Sequence, residues 1–264
     1  MKSKTLKGLV VLMTAWLVCF GCTKSKDDVV EDYAGKETPG EIPGFGTTGG
    51  NIGGKEFTLP DGVVFDGEIM GYESDNDFSL HFNGIKPEKL SIHGNVVSLD
   101  EPVRSRAAIK ADITLGSGGL VTVLVAMKNT TSNKIDVEFP AGLIFESASG
   151  KYQNGILLKK TKATVPAGGK TYCVELQMYC GNASRSASDA SAKYLKPVMT
   201  NSELLLYLCG LVKNKKINYE ENSGLLQIIQ YYTMVFRLQM IVWKVTDEGQ
   251  MPDKSDLDYI ADLK

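Results

Sequence analysis

Cys173, Cys180 and Cys209 are the thiols left for oxidising conditions once Cys19 and Cys22, which fall in the amino-terminal segment discussed below, are set aside. A disulfide between Cys180 and Cys209 would close a loop of about 30 residues, which the loop-entropy picture values at about 3 kcal/mol. Cys173 would then be left over, as a half-buried bystander or as a reactive thiol. His81 and His93 have no Cys or acidic residue at metal-ligand spacing, so no zinc site is expected. Glu73, Asp75 and Asp77 crowd a turn and could bind calcium, but no full loop motif follows them. No Gly-x-Ser-x-Gly elbow and no phosphate-binding glycine loop is present, and the run from Gly116 to Gly119 reads as a turn. An acid, base and nucleophile set is lacking, so the expectation is a non-enzyme without a cofactor.

The elements that must position these residues begin with an address. Lys2, Lys4 and Lys7 form a positive head, residues 8–18 an apolar stretch too short for a bilayer span, and Gly21 a small residue directly before Cys22. Residues 1–21 read as an export signal. The Gly21-Cys22 step resembles the bacterial lipoprotein box, although Cys19 and Phe20 stand where Leu and a small residue are usual. That resemblance implies acylation of Cys22. The run Lys24, Ser25, Lys26, Asp27, Asp28 is similar to the tag that sends Bacteroidota lipoproteins to the outer face of the outer membrane; the alternative is a charged linker on the periplasmic face. Residues 22–54, rich in Gly, Pro and Thr, read as a flexible tether.

Residues 55–182 alternate with period two or carry β-branched runs between turn residues. Strands are expected at 63–65, 78–82, 89–92, 109–115, 121–127, 135–139, 143–145, 156–160 and 171–180, with 121–127 and 135–139 forming a hairpin. Such spacing predicts an antiparallel β-sandwich, immunoglobulin-like, with a barrel as its rival. Along 171–180, Tyr172, Val174, Leu176, Met178 and Cys180 share an inward face, and Cys173, Glu175, Gln177 and Tyr179 share the other. Residues 183–264 turn helical and form a small carboxy-terminal subdomain. Asn201 or Ser202 caps a helix to about Val212, and a long apolar helix runs from Leu225 to about Val245. The polar residues Gln227, Gln230, Thr233, Arg237 and Gln239 make that second helix costly in lipid, so it is expected to be buried in protein. Lys213, Lys215 and Lys216 suit the first helix's carboxyl end. Ser255 with Asp258 suggests the amino cap of a last, short helix.

The sequence Tyr172-Cys173-Val174-Glu175 is similar to the cysteine motif of the thioester domains of bacterial surface adhesins. Leu238-Gln239-Met240-Ile241-Val242-Trp243, followed by Thr246-Asp247, resembles their Gln-x-Ala-Ile-Trp helix, with Ile241 in place of the small Ala. The resemblance covers about residues 170–250 and implies a Cys173–Gln239 thioester able to capture an amine on a partner. Gln239 lies on the stripe Tyr232, Phe236, Gln239, Trp243, which would screen its amide; a core amide bonded to the backbone is the alternative.

The full chain has 264 residues, 29 Lys and Arg against 31 Asp and Glu, and 43% hydrophobic residues. This is an ordinary globular composition, and with a pI near 5.8 it argues against nucleic acid as a partner. The expected function is a lipid-anchored cell-envelope protein acting as a non-catalytic binding or adhesion module. Its partners would be the membrane, through the lipid, and a host or extracellular protein or glycan. A covalent adhesin and a pilin-like structural subunit are the alternatives.

Overall fold

The computed structural model describes residues 33–73, 110–222 and 225–264, with side chains in the last stretch described from Gln230 onward. The expected export signal at 1–21, Cys22, the candidate strands at 78–82 and 89–92, His81, His93, Asp75 and Asp77 lie outside the described residues.

The densest apolar runs make the centre of the main sheet. Strand β10 (Thr171–Cys180) is flanked on one side by β5 (Val121–Asn129), antiparallel, with Tyr172 opposite Met127 and Met178 opposite Val121. On its other side lie β4 (Ile113–Gly116), parallel to Val174–Gln177, and then β8 (Gly155–Ile156), antiparallel to the strand's last two residues. Beyond β5 come β2 (Val63–Phe65) and β3 (Ile69–Gly71), and β3 is followed by β11 (Lys193–Tyr194). Beyond β8 come β7 (Leu143–Phe145), β12 (Val198–Thr200) and the edge strand β1 (Gly54–Glu56). Strands β6 (Ile135–Phe139) and β9 (Thr161–Val165) form a separate two-stranded sheet.

Val137, Phe139, Ala163 and Val165 of that ribbon pack against Val123, Val125, Val174 and Leu176 of the main sheet, which closes a sandwich core. The ribbon's outer face carries Asp136, Glu138, Lys160 and Lys162 in exposed ion pairs. The expected hairpin between 121–127 and 135–139 is therefore corrected, since the two strands belong to different sheets. The turn between them is an arch. Asn129, fully buried, accepts from Thr131 N and donates to the carbonyls of Asn133 and Val165, which carries the chain from one layer to the other.

Among the described residues three α-helices follow: α1 (Glu203–Val212), α2 (Leu225–Thr246) and α3 (Lys254–Asp262). Ser202 caps α1 by accepting from Leu205 N, as the sequence suggested. The cap of α3 stands two residues earlier than expected, at Asp253 in a reciprocal box with Asp256, and Ser255 sits within the helix. No helix among the described residues is long and apolar enough to cross a membrane. Helix α2 spends its apolar surface inside the protein instead: Tyr231, Tyr232, Val235, Leu238, Ile241, Val242 and Val245 join Leu204, Leu208 and Tyr179 in a second core.

That second core covers the other face of β10, so Glu175, Gln177 and Tyr179 are buried along with Val174 and Leu176 of the first. The helices and the sheet belong to one compact unit that holds all the described residues. The same unit takes in most of the expected tether. Residues 33–54 are bound along the body, with Ile42 and Phe45 buried in the second core. We refer to this stretch as the strap.

Candidate functional site

The second face of β10 collects most of the polar side chains that the sequence singled out, at three positions along the strand. At the amino end, Cys173 is 5% exposed, and its backbone N–H donates to Asp112 Oδ2 at 2.7 Å. Burial raises the thiol's pKa, and the carboxylates of Asp112 and Asp66 raise it further. A thiol in such a setting is a poor nucleophile, because the thiolate is the reactive form.

In the middle, Glu175 and Gln177 are level with Thr114 and Gly116 of β4. Thr114 Oγ1 donates to Glu175 Oε2 at 2.9 Å, Gln177 Nε2 to Glu175 Oε1 at 3.3 Å, and Tyr231 of α2 to Gln177 Oε1 at 3.1 Å. Beside them, Ser117 Oγ and Tyr179 Oη share a 2.6 Å hydrogen bond, and Glu220 accepts from Gly116 N, Thr161 Oγ1 and Asn218 Nδ2. Burial drives the pKa of both Tyr179 and Tyr231 upward. Apart from Asn218 Oδ1, which is buried without a partner, the named side chains are paired with one another or with the backbone, which rigidifies the seam between sheet and helix.

At the carboxyl end, Gln239 of α2 meets the backbone of Cys180. Cys180 N donates to Gln239 Oε1 at 2.8 Å, and Gln239 Nε2 donates to Cys180 O at 2.8 Å. Trp243 Nε1 and Asn182 N both donate to Cys180 Sγ at 3.3 Å. Asp247, in the next turn, accepts from Ala183 N at 2.8 Å. The residues of the two suggestive motifs are thus brought to one strand but not to one place. Cys173 and Cys180 are seven residues apart, about 23 Å at about 3.3 Å per residue, and Gln239 stands over Cys180. The Cys173–Gln239 thioester implied by the resemblance is not formed in this arrangement, for the thiol and the carboxamide are a strand's length apart. Gln239 is the core amide of the alternative reading.

The possible Cys180–Cys209 disulfide is not made either, and all three described cysteines are free and buried. Cys180 belongs to the sandwich core, whereas Cys209 lies among the helices with its thiol directed at Leu157 O, 3.9 Å away. Burial pushes each of these two thiols up to about 12.

Sequence reasoning missed the residues that hold the strap. Asn182 Nδ2 donates to Gly44 O at 3.1 Å and to Gly46 O at 3.0 Å, and Asn154 Nδ2 donates to Gly44 O at 2.8 Å. Gly46 N returns a bond to Gly181 O at 2.7 Å. Between them the Phe45 ring is fully buried against Gly181, where an added Cβ would stand 2.1 Å from the ring. Upstream, Gly40 N donates to Val245 O near the end of α2, and Glu37 Oε2 accepts from Ser202 Oγ and Leu204 N at the start of α1. The available signal was Phe45 itself, a large aromatic residue in a segment otherwise read by its glycine and proline content.

No group of three or more metal-ligating side chains gathers among the described residues. Comparison with protein-family models, with curated proteins and with solved structures finds no match.

Proposed function

We propose that this chain is an amino-terminally lipidated cell-envelope protein whose body is a non-catalytic binding or adhesion module, carried on the outer membrane and facing the cell exterior. One observation carries the non-catalytic part: both halves of the Gln239 amide are spent on the Cys180 backbone, a strand's length from Cys173. The side chains best suited to covalent chemistry thereby act as structural parts. The anchoring part rests on the positive head, the short apolar stretch and the Gly21-Cys22 step in the sequence.

The variant Cys22→Ala tests the anchor. It should move the protein from the membrane fraction to the soluble fraction and remove acyl mass from the amino terminus, while leaving the thermal midpoint of the body unchanged. Retention of the variant in membranes with an unaltered mass would overturn the lipid reading. Digestion of intact cells with added protease then reports the leaflet: loss of the wild-type protein supports surface display, and protection until the outer membrane is broken would place it on the periplasmic side.

A further inference from the structure

The strap changes the reach of the anchor, and with it which end of the body can touch a bilayer. From Cys22 to Tyr33 the chain takes eleven residue steps, which span at most about 40 Å in any conformation. Had the free tether run to Gly54, the same bound would be about 115 Å. A body of this length is about 45 Å across, from its expected radius of gyration of about 17 Å. The longer reach would let any face lie on the membrane. The shorter one falls below the diameter, so the end opposite Tyr33 is kept off the surface.

The two ends can be named from the register. The strap meets β10 beyond Cys180 through Gly46 and Gly181, touches the carboxyl end of α2 through Gly40 and Val245, and touches the amino end of α1 through Glu37 and Leu204. The other end of β10, at Thr171, lies opposite Lys128, which also pairs with Val64 of β2. From Thr171 to Gly181 is about 33 Å along the strand.

At the strap end, Tyr33 stacks against Tyr207 of α1 with ring centroids 5.5 Å apart. Beside Tyr207, Leu206 is 44% exposed, one of three large hydrophobic side chains so exposed among the described residues, and Lys36 is exposed close by. Two carboxylates border this face, each engaged with backbone donors: exposed Glu203 accepts at Oε2 from Lys36 N at 2.8 Å, and half-buried Glu37 accepts from Leu204 N at the α1 cap. Tyrosine rings, a leucine and a lysine suit the zone between headgroups and acyl chains.

Building on the anchored reading above, we infer that the α1 face around Tyr33, Leu206 and Tyr207 rests on the lipid surface, and that the strap imposes this orientation by shortening the tether. The end of the sandwich around Val64, with the turns at 60–62 and 129–133, is then the end held away from the bilayer.

The test uses the chain from Thr23 onward, carrying an amino-terminal hexahistidine tag on phosphatidylcholine vesicles doped with a nickel-chelating lipid. Attachment is thereby independent of Cys22, so failure of the lipid reading and failure of the orientation are separate results. A bimane label is placed on Leu206→Cys or on Val64→Cys, the native thiols being buried. Brominated phosphatidylcholine should quench the Leu206 label at least twofold more than the Val64 label. Equal quenching, or stronger quenching at Val64, would overturn the inference. Insertion of a twenty-residue Gly-Ser spacer between Asp32 and Tyr33 should shrink the difference. An unchanged difference would show that reach does not set the orientation and would overturn the role given to the strap.

Discussion

Replacement of Phe45 by Ala should lower the unfolding free energy by about 3–5 kcal/mol, a large part of the roughly 5–15 kcal/mol typical of a folded domain. The ring is fully buried, and the residues on either side of it are held by three hydrogen bonds from the buried amides of Asn154 and Asn182. Truncation leaves a void at the junction of β8, the end of β10 and the end of α2, where the backbone cannot collapse while Gly44 and Gly46 stay bonded. Gly181→Ala attacks the same contact from the other side, since its Cβ would stand 2.1 Å from the ring and Phe45 must leave its seat. Urea titration of both variants supplies the measurement. If the strap stays docked, the midpoint falls at unchanged slope, and if it peels away the slope falls as well, because less surface remains to be exposed. A Phe45→Ala protein as stable as the wild type would return residues 33–54 to the status of a tether.

Gln239→Leu should cost about 2–6 kcal/mol. The substitution replaces the carboxamide by an apolar side chain of comparable size and strands the N–H and C=O of Cys180 in a buried site, at about 1–3 kcal/mol for each unpaired group. Gln239→Glu separates hydrogen bonding from size. Its carboxylate can accept from Cys180 N, yet it sets a second oxygen against Cys180 O, and only the protonated acid can donate there. Its folded-state pKa is then raised, so this variant is most stable below the ordinary carboxylate range and loses stability as pH rises through the raised value. Urea titrations at pH 4 and pH 7 read the difference. A neutral outcome for Gln239→Leu would mean that the amide does not hold the helix to the strand.

The sandwich was legible because its strands carry β-branched runs at a spacing that no helix shares, from Val121–Asn129 to Thr171–Cys180. Helices α1 and α2 were legible from Ser202 and from the apolar run after Gly224. Pairing was not. The arch at Asn129 and a hairpin both need polar turn residues between two strands, and which layer receives Ile135 depends on contacts with Thr161–Val165 far along the chain. Alternation along β10 marked two faces correctly but could not say that both are covered, since Glu175 and Gln177 look solvated until Thr114 and Tyr231 are placed beside them. The strap escaped for a related reason. Its glycines serve close approach rather than freedom, as at Gly46, where an added Cβ would stand 2.2 Å from Thr246 O. Composition treats both uses alike. The separation of Cys173 from Gln239 could not be read either, because order along the sequence does not fix which end of a ten-residue strand a helix crosses.

Amide hydrogen–deuterium exchange on the protein reaches the strap most directly. The N–H groups of Gly40, Phe45 and Gly46 are bonded to Val245 O, Ile42 O and Gly181 O, so a peptide covering residues 40–46 should exchange nearly as slowly as one covering 171–180. Exchange of residues 40–46 at the rate of an unstructured peptide, with β10 still protected, would contradict a docked strap and the short reach that follows from it.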